Sequence, residues 1–162
     1  GLFRRYILRE VEELDSHDIR VRFIGQRERM PADLQRLMAQ TEARTAENRR
    51  LTIQVALSYG ARAEIAAAAR AVAEDVAAGR LAPEDVDEDA LGARLWTAGI
   101  DDPDLVIRTS GEVRVSNFLL WQAAYAEFAF VEECWPDFTA ERFREVLAGF
   151  GRRERRFGRV TG

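Results

Sequence analysis

The stretch Asp104–Trp135, DLVIRTSGEVRVSNFLLWQAAYAEFAFVEECW, decides how this chain is read. It opens on Leu105-Val106-Ile107, an apolar run of the length of a buried strand. Arg108-Thr109-Ser110-Gly111 follows at the C-terminal end of that strand, where open α/β sheets bind ligands. Arg108 and Arg114 fall within seven residues of each other, and Ser116 lies just beyond. Ser116 or Asn117 is placed to cap a helix running to about Ala126, which would aim free backbone N–H groups at an anion. Glu127 stands where that helix gives way to a second apolar run, Phe128-Ala129-Phe130-Val131. Guanidiniums, a hydroxyl, a helix N-terminus and one carboxylate are what a site for a magnesium-bound diphosphate requires. Loop arginines are also ordinarily solvated. All 24 basic residues here are Arg, so the choice of Arg over Lys carries no information. Chemistry alone leaves a phosphate site and a solvated loop both open.

Outward from this stretch, periodicity organises the rest. Residues 2–15 place Phe3, Ile7, Val11 and Leu14 on one helical face. Ile19-Arg20-Val21-Arg22-Phe23 alternates with period two and stops at Gly25, which predicts a strand. Pro31 opens the next helix, with Leu34, Leu37, Met38 and Thr41 inward. Asn48 to Arg50 is a polar break before a second strand, Leu51 to Ser58. An Ala-rich helix over 61–78 buries Ile65, Val72 and Val76 and stops at Gly79. After the acidic connector 81–89, a shorter helix is expected over 88–97, carrying Leu91, Leu95 and Trp96. Asp101-Asp102-Pro103 marks the turn into the central strand. Beyond Trp135-Pro136-Asp137, Thr139 caps a last helix with Phe143, Val146, Leu147 and Phe150 on one side. Four strands alternating with helices indicate an α/β layered domain with a mainly parallel sheet.

At 162 residues the chain is expected to form one domain, able to bury roughly 70% of its unfolded surface. A formal charge of −4 argues against a general nucleic-acid binder. The single cysteine, Cys134, excludes an internal disulfide, and with His17 as the only histidine no thiolate-rich zinc site is available. No run of 18 apolar residues and no signal peptide is visible, so the default expectation is a cytoplasmic protein. Residues 152–156, RRERR, read on charge pattern as a solvated face or tail.

The string RTSGEVRVSNFLLWQAAYAEFAF, with WPDF after it and RRERRFG later, closely resembles the C-terminal half of cis-prenyltransferases. Within that family it is most like bacterial undecaprenyl diphosphate synthases. The similarity extends more weakly through LTIQVALSYG and VRFIG. The resemblance implies an α/β fold whose mainly parallel sheet carries helices on both faces. It implies a transferase that joins isopentenyl diphosphate to an allylic diphosphate, giving cis-polyprenyl diphosphate of the undecaprenyl type, a lipid-carrier precursor for cell-wall synthesis. It also implies Mg²⁺ as cofactor, a homodimer, and a hydrophobic tunnel lined by alternate residues of 21–24 and 51–57. By position, Arg108, Arg114 and Ser116 match residues that bind the diphosphate of isopentenyl diphosphate, with Val115 inside the same segment. Glu127 matches the carboxylate associated with the metal, and Arg156-Phe157-Gly158 matches an Arg-x-Gly element that reaches the partner subunit's site.

Two departures accompany the resemblance. Relatives carry His between the Glu and Arg of the central motif, where this chain has Val113, which neither ligates metal nor moves a proton. The family's Asp-Gly-Asn-Gly-Arg-Trp segment, holding its catalytic Asp, and its Phe-Ser-x-Glu-Asn-Trp segment have no match here. The expectation is therefore that residues 1–162 are the C-terminal two-thirds of a cis-prenyltransferase, lacking the first strands of the sheet and inactive alone. The alternative from another class is a non-catalytic subunit of a two-component enzyme, against which the retained Arg108, Arg114, Ser116 and Glu127 set argues.

Overall fold

A computed structural model describes residues 2–152, which divide into two compact units meeting in sequence between Ala98 and Gly99. In the first unit, α1 (Leu2–Ser16) leads into β1 (Ile19–Ile24), α2 (Ala32–Arg44) and β2 (Leu51–Ala56). β1 and β2 pair in parallel from Ile19 opposite Leu51 to Ile24 opposite Ala56, with α2 as the crossover. Alternation puts Val21 and Phe23 on the face that packs against Leu37 and Met38 of α2, and Met38 is wholly inaccessible to solvent. Leu14, Leu34, Val55 and Leu57 pack around this cluster, so the inward positions expected for β1 and α2 are the observed ones.

The edge of β1 away from β2 is closed by side chains. Thr45, buried just past the end of α2, accepts from the Val21 N–H at 3.0 Å and donates to the Thr41 carbonyl at 2.9 Å. Glu42 accepts from the Phe23 N–H at 2.8 Å while Arg27 holds its other oxygen at 2.7 Å. Two ladder donors that would otherwise be orphaned are thereby satisfied. The polar break at Asn48 is likewise a fastening: its amide reaches both the Asp15 carboxylate and the Ile19 carbonyl. Gly25 ends β1 at φ +115°, where a Cβ would stand 2.0 Å from the Leu57 carbonyl oxygen, so no other residue fits.

α3 (Ala61–Ala77) buries Val72 as expected, but it also fully buries the carboxylate Glu64. Glu64 accepts from the Tyr59 hydroxyl at 2.5 Å and from the Trp96 N–H at 2.8 Å. This contact corrects the expected helix over 88–97: α4 spans only Glu88–Gly92, capped by Asp87. Extension would require the Trp96 N–H to meet the Gly92 carbonyl, and Glu64 has taken it instead. Arg94 also leaves the helical pattern, bonding Asp75 of α3 at 2.5 Å and 2.8 Å.

The second unit holds β3 (Leu105–Arg108), β4 (Glu127–Phe130) and α5 (Ala140–Gly151). β3 and β4 pair in parallel from Leu105 opposite Glu127 to Arg108 opposite Phe130. Among the described residues the strands are the expected four, paired as two two-stranded parallel sheets. Thr139 caps α5 as predicted, accepting from the Arg142 N–H at 3.2 Å. Phe143 and Leu147, expected on its buried side, are substantially exposed.

The expected helix from Ser116 or Asn117 to Ala126 is absent. Ser116, Asn117 and Leu119 take φ of +51°, +62° and +47°, and the segment makes isolated turns instead of a continuous ladder. Helices of this length are held mainly by packing of an apolar face. Here Phe118, Leu120 and Tyr125 stay exposed while Gln122 and Ala123 are buried, so no continuous apolar face is covered as a helix would need.

Candidate functional site

Arg108 is the last residue of β3, and alternation places it on the same face of the ladder as Val106, Phe128 and Phe130. The rings of Phe128 and Phe130 stack along that face at 5.8 Å. Beyond Arg108 the chain reverses through Ser110 and Gly111, both left-handed at φ +70° and +63°. The turn is pinned by Ser110 N–H on the Glu133 carbonyl and Gly111 N–H on the Val131 carbonyl, at 2.8 Å and 2.9 Å. It brings Glu112 back against Arg108, with Glu112 Oε2 at 3.2 Å from Arg108 Nη2. Arg114 pairs with the same oxygen.

These residues surround a cavity of about 500 Å³. Arg108, Thr109, Ser110, Glu112 and Arg114 supply its polar wall; Val106, Val115, Phe118 and Phe128 supply an apolar one. Two guanidiniums against one carboxylate leave the polar wall one positive charge in excess. Arg108 and Glu112 are about two-thirds buried, while Arg114 is 65% exposed and free to reach outward. The lining suits an anion whose organic part is apolar: the guanidiniums offer charge-assisted bonds and the apolar side chains offer contact to hydrocarbon.

Of the residues expected to act, Arg108, Arg114 and Val115 line this cavity together. Ser116 follows directly in left-handed conformation, and no helix begins there. Thr109 and Ser110 line the cavity as well. Their position just past a strand's C-terminal end was the available signal. Glu112 was not foreseen, because a carboxylate beside two arginines is visible only once the turn is formed. Val113 is 73% exposed. Arg156 and Gly158 lie outside the described residues.

Glu127 is at the first position of β4, opposite Leu105, three residues or about 10 Å along the ladder from Phe130 and Arg108. Alternation puts Glu127 on the face of the ladder opposite Phe128 and Arg108. Its backbone N–H bonds the Asp104 carbonyl at 2.9 Å. The arginine cavity itself does not fit magnesium: its one carboxylate is engaged by two guanidiniums, and the ion prefers near-octahedral oxygen ligands. Among the described residues no three His, Cys, Asp or Glu side chains group as a metal site. No described helix is long and apolar enough to cross a membrane.

Comparison with known proteins bears on this geometry. The prenyltransferase family model described as "Putative undecaprenyl diphosphate synthase" matches residues 1–158. The isoprenyl transferase of Agrobacterium fabrum is 48% identical over 161 residues, covering 99% of this chain and 65% of the relative. The ditrans,polycis-undecaprenyl-diphosphate synthase ((2E,6E)-farnesyl-diphosphate specific) of Xanthomonas axonopodis pv. citri is 53% identical, covering 97% of this chain and 61% of the relative. Lavandulyl diphosphate synthase from Lavandula x intermedia, solved in complex with dimethylallyl diphosphate, superposes with a TM-score of 0.93 at 35% identity. That match covers 97% of this chain and 68% of the solved one. The chain spans less than two thirds of the length of the curated relatives it matches. An α/β chain with parallel strands, matched almost throughout by the family model and by relatives of this identity, belongs to the undecaprenyl diphosphate synthase family of cis-prenyltransferases.

Proposed function

We propose that the protein to which this chain belongs condenses isopentenyl diphosphate with an allylic diphosphate, giving cis-polyprenyl diphosphate of the undecaprenyl type, a lipid-carrier precursor for cell-wall synthesis. The observation that carries this reading is the divided cavity. Arg108 and Arg114 line it with two guanidiniums, and Val106, Val115, Phe118 and Phe128 line the same 500 Å³. Isopentenyl diphosphate has that division, a short branched hydrocarbon joined to a diphosphate. In this reading Arg108, Arg114 and Ser116 bind its diphosphate, and Val115 contacts the same substrate. The chain forms the C-terminal two-thirds of a single α/β domain, acts as a cytoplasmic homodimer, and contributes Arg156 and Gly158 to the partner's site.

Magnesium belongs to this reading as a cofactor that would neutralise diphosphate charge, with Glu127 as its carboxylate ligand. The support is family membership together with the oxygen-donor chemistry of Glu127. Glu127 projects from the ladder face opposite the Arg108 side chain, so a Mg²⁺ held there would reach the diphosphate from the side away from that guanidinium. The test is incorporation of labelled isopentenyl diphosphate by the intact protein, given farnesyl diphosphate as primer and a Mg²⁺ titration. Chain-elongated product is expected, with Glu127→Ala moving the titration to higher Mg²⁺. Absence of incorporation with any allylic primer would refute the activity; an unmoved titration would remove Glu127 from the metal.

A further inference from the structure

We infer that Glu112 is a built-in counterion for the arginine pair, occupying the place of the substrate's phosphate oxygens and leaving it when diphosphate binds. The inference rests on the reading of this cavity as a diphosphate site. One oxygen, Glu112 Oε2, meets both guanidiniums, at 3.2 Å from Arg108 and in a second ion pair with Arg114. This is the bridging position a phosphate oxygen would take between two arginines. Glu112 also lines the cavity, so a diphosphate entering it would meet a fixed negative charge at close range.

A carboxylate in that position has two opposite consequences, and the geometry selects between them. It could hold the arginines in a productive pose, or it could compete with the ligand. A positioning carboxylate would grip guanidinium atoms turned away from the ligand space and would itself stand behind them. Glu112 instead sits in the cavity wall, bridging the pair with one atom. The turn that delivers it is fixed by the left-handed Ser110 and Gly111 and their bonds to β4-side carbonyls, so Glu112 returns whenever the site empties. The arginines are thereby kept paired without ligand, and every anion must first displace the same carboxylate. Weakly held anions fail to do so; a diphosphate with several charge-assisted bonds succeeds. Glu112 thus sets a threshold of affinity for the site.

The test measures binding of inorganic pyrophosphate and of orthophosphate to the intact protein by calorimetry, with EDTA present and ionic strength fixed. Glu112→Gln keeps the shape and removes the charge. It is expected to tighten both anions by a similar factor, roughly tenfold, as the release of two partly exposed ion pairs implies. Glu112→Asp keeps a carboxylate and is expected to bind like the wild type, which also guards against misfolding as the cause of any change. If Glu112→Gln weakened pyrophosphate binding, or if Glu112→Asp tightened it as much, the counterion role would be overturned. Weakening seen only with Mg²⁺ added would make Glu112 a metal ligand and overturn it too. Arg114→Ala separates the two layers. If it leaves pyrophosphate binding unchanged, the diphosphate reading of the cavity fails; if it abolishes binding while Glu112→Gln weakens it, only the counterion role fails.

Discussion

Gly25 and Gly111 are both left-handed, yet they constrain the chain differently. At Gly111 an added Cβ would lie 2.7 Å from Glu132 Oε2, the tip of a flexible side chain that can swing aside. The cost of Gly111→Ala is then mainly that of an L-residue at φ +63°, about 1–2 kcal/mol. At Gly25 the obstacle is the Leu57 carbonyl itself, part of the β2 exit and unable to yield without breaking the turn. Gly25→Ala should therefore destabilise the intact protein by more than Gly111→Ala, read as the shift in urea midpoint. Equal shifts would contradict this account of the two turns. The same distinction explains what could be read in advance: a glycine ending a strand is visible in the sequence, whereas the atom that forbids a side chain there is not.

Between elements, fastening is done by polar side chains more than periodicity suggests. Thr45 is fully buried and satisfies the Val21 N–H at the edge of β1. Thr45→Val keeps the volume but strands that donor, and should cost about 1–3 kcal/mol in urea unfolding, with Thr45→Ser largely sparing it. A Thr45→Val protein as stable as wild type would show that the edge is held otherwise. Asp75 of α3 is bonded by Arg94 first and Arg80 second, which holds its carboxyl below the usual range. A depressed folded pKa contributes stability above the unfolded value of about 3.9 and loses it as pH falls through the folded one. The stability difference between wild type and Asp75→Asn should be level at neutral pH and shrink below about pH 4; a difference that grew in acid would contradict the pairing. Alternation in β1 and the 3.6-residue stripe of α2 were legible because a buried face repeats with the element's own period. The end of α4 was not, because Glu64 arrives from 32 residues away to claim the Trp96 N–H. Nor was the turn-rich stretch after Ser116, where left-handed backbone at Ser116, Asn117 and Leu119 breaks any helical run.

At the level of the whole molecule, family membership rests on matches across nearly the full chain, and the proposed activity is tested on the intact protein with both diphosphates. Exposed apolar side chains, among them Tyr125, Trp135, Phe143 and Leu147, are the kind of surface that a second subunit covers. If Arg156 serves the partner's site, mixing Arg156→Ala subunits with Arg108→Ala subunits should recover part of the activity that each lacks alone; no recovery despite subunit exchange would place Arg156 elsewhere. The central claim is that the Arg108–Arg114 cavity receives isopentenyl diphosphate. Its most direct test is steady-state kinetics of Arg114→Ala in the intact protein, varying each diphosphate in turn. Loss of one charge-assisted contact, roughly 1.5–3 kcal/mol, predicts a KM for isopentenyl diphosphate raised about 10- to 100-fold, with KM for the allylic primer nearly unchanged. A rise confined to the allylic primer, or no rise in either, would contradict it.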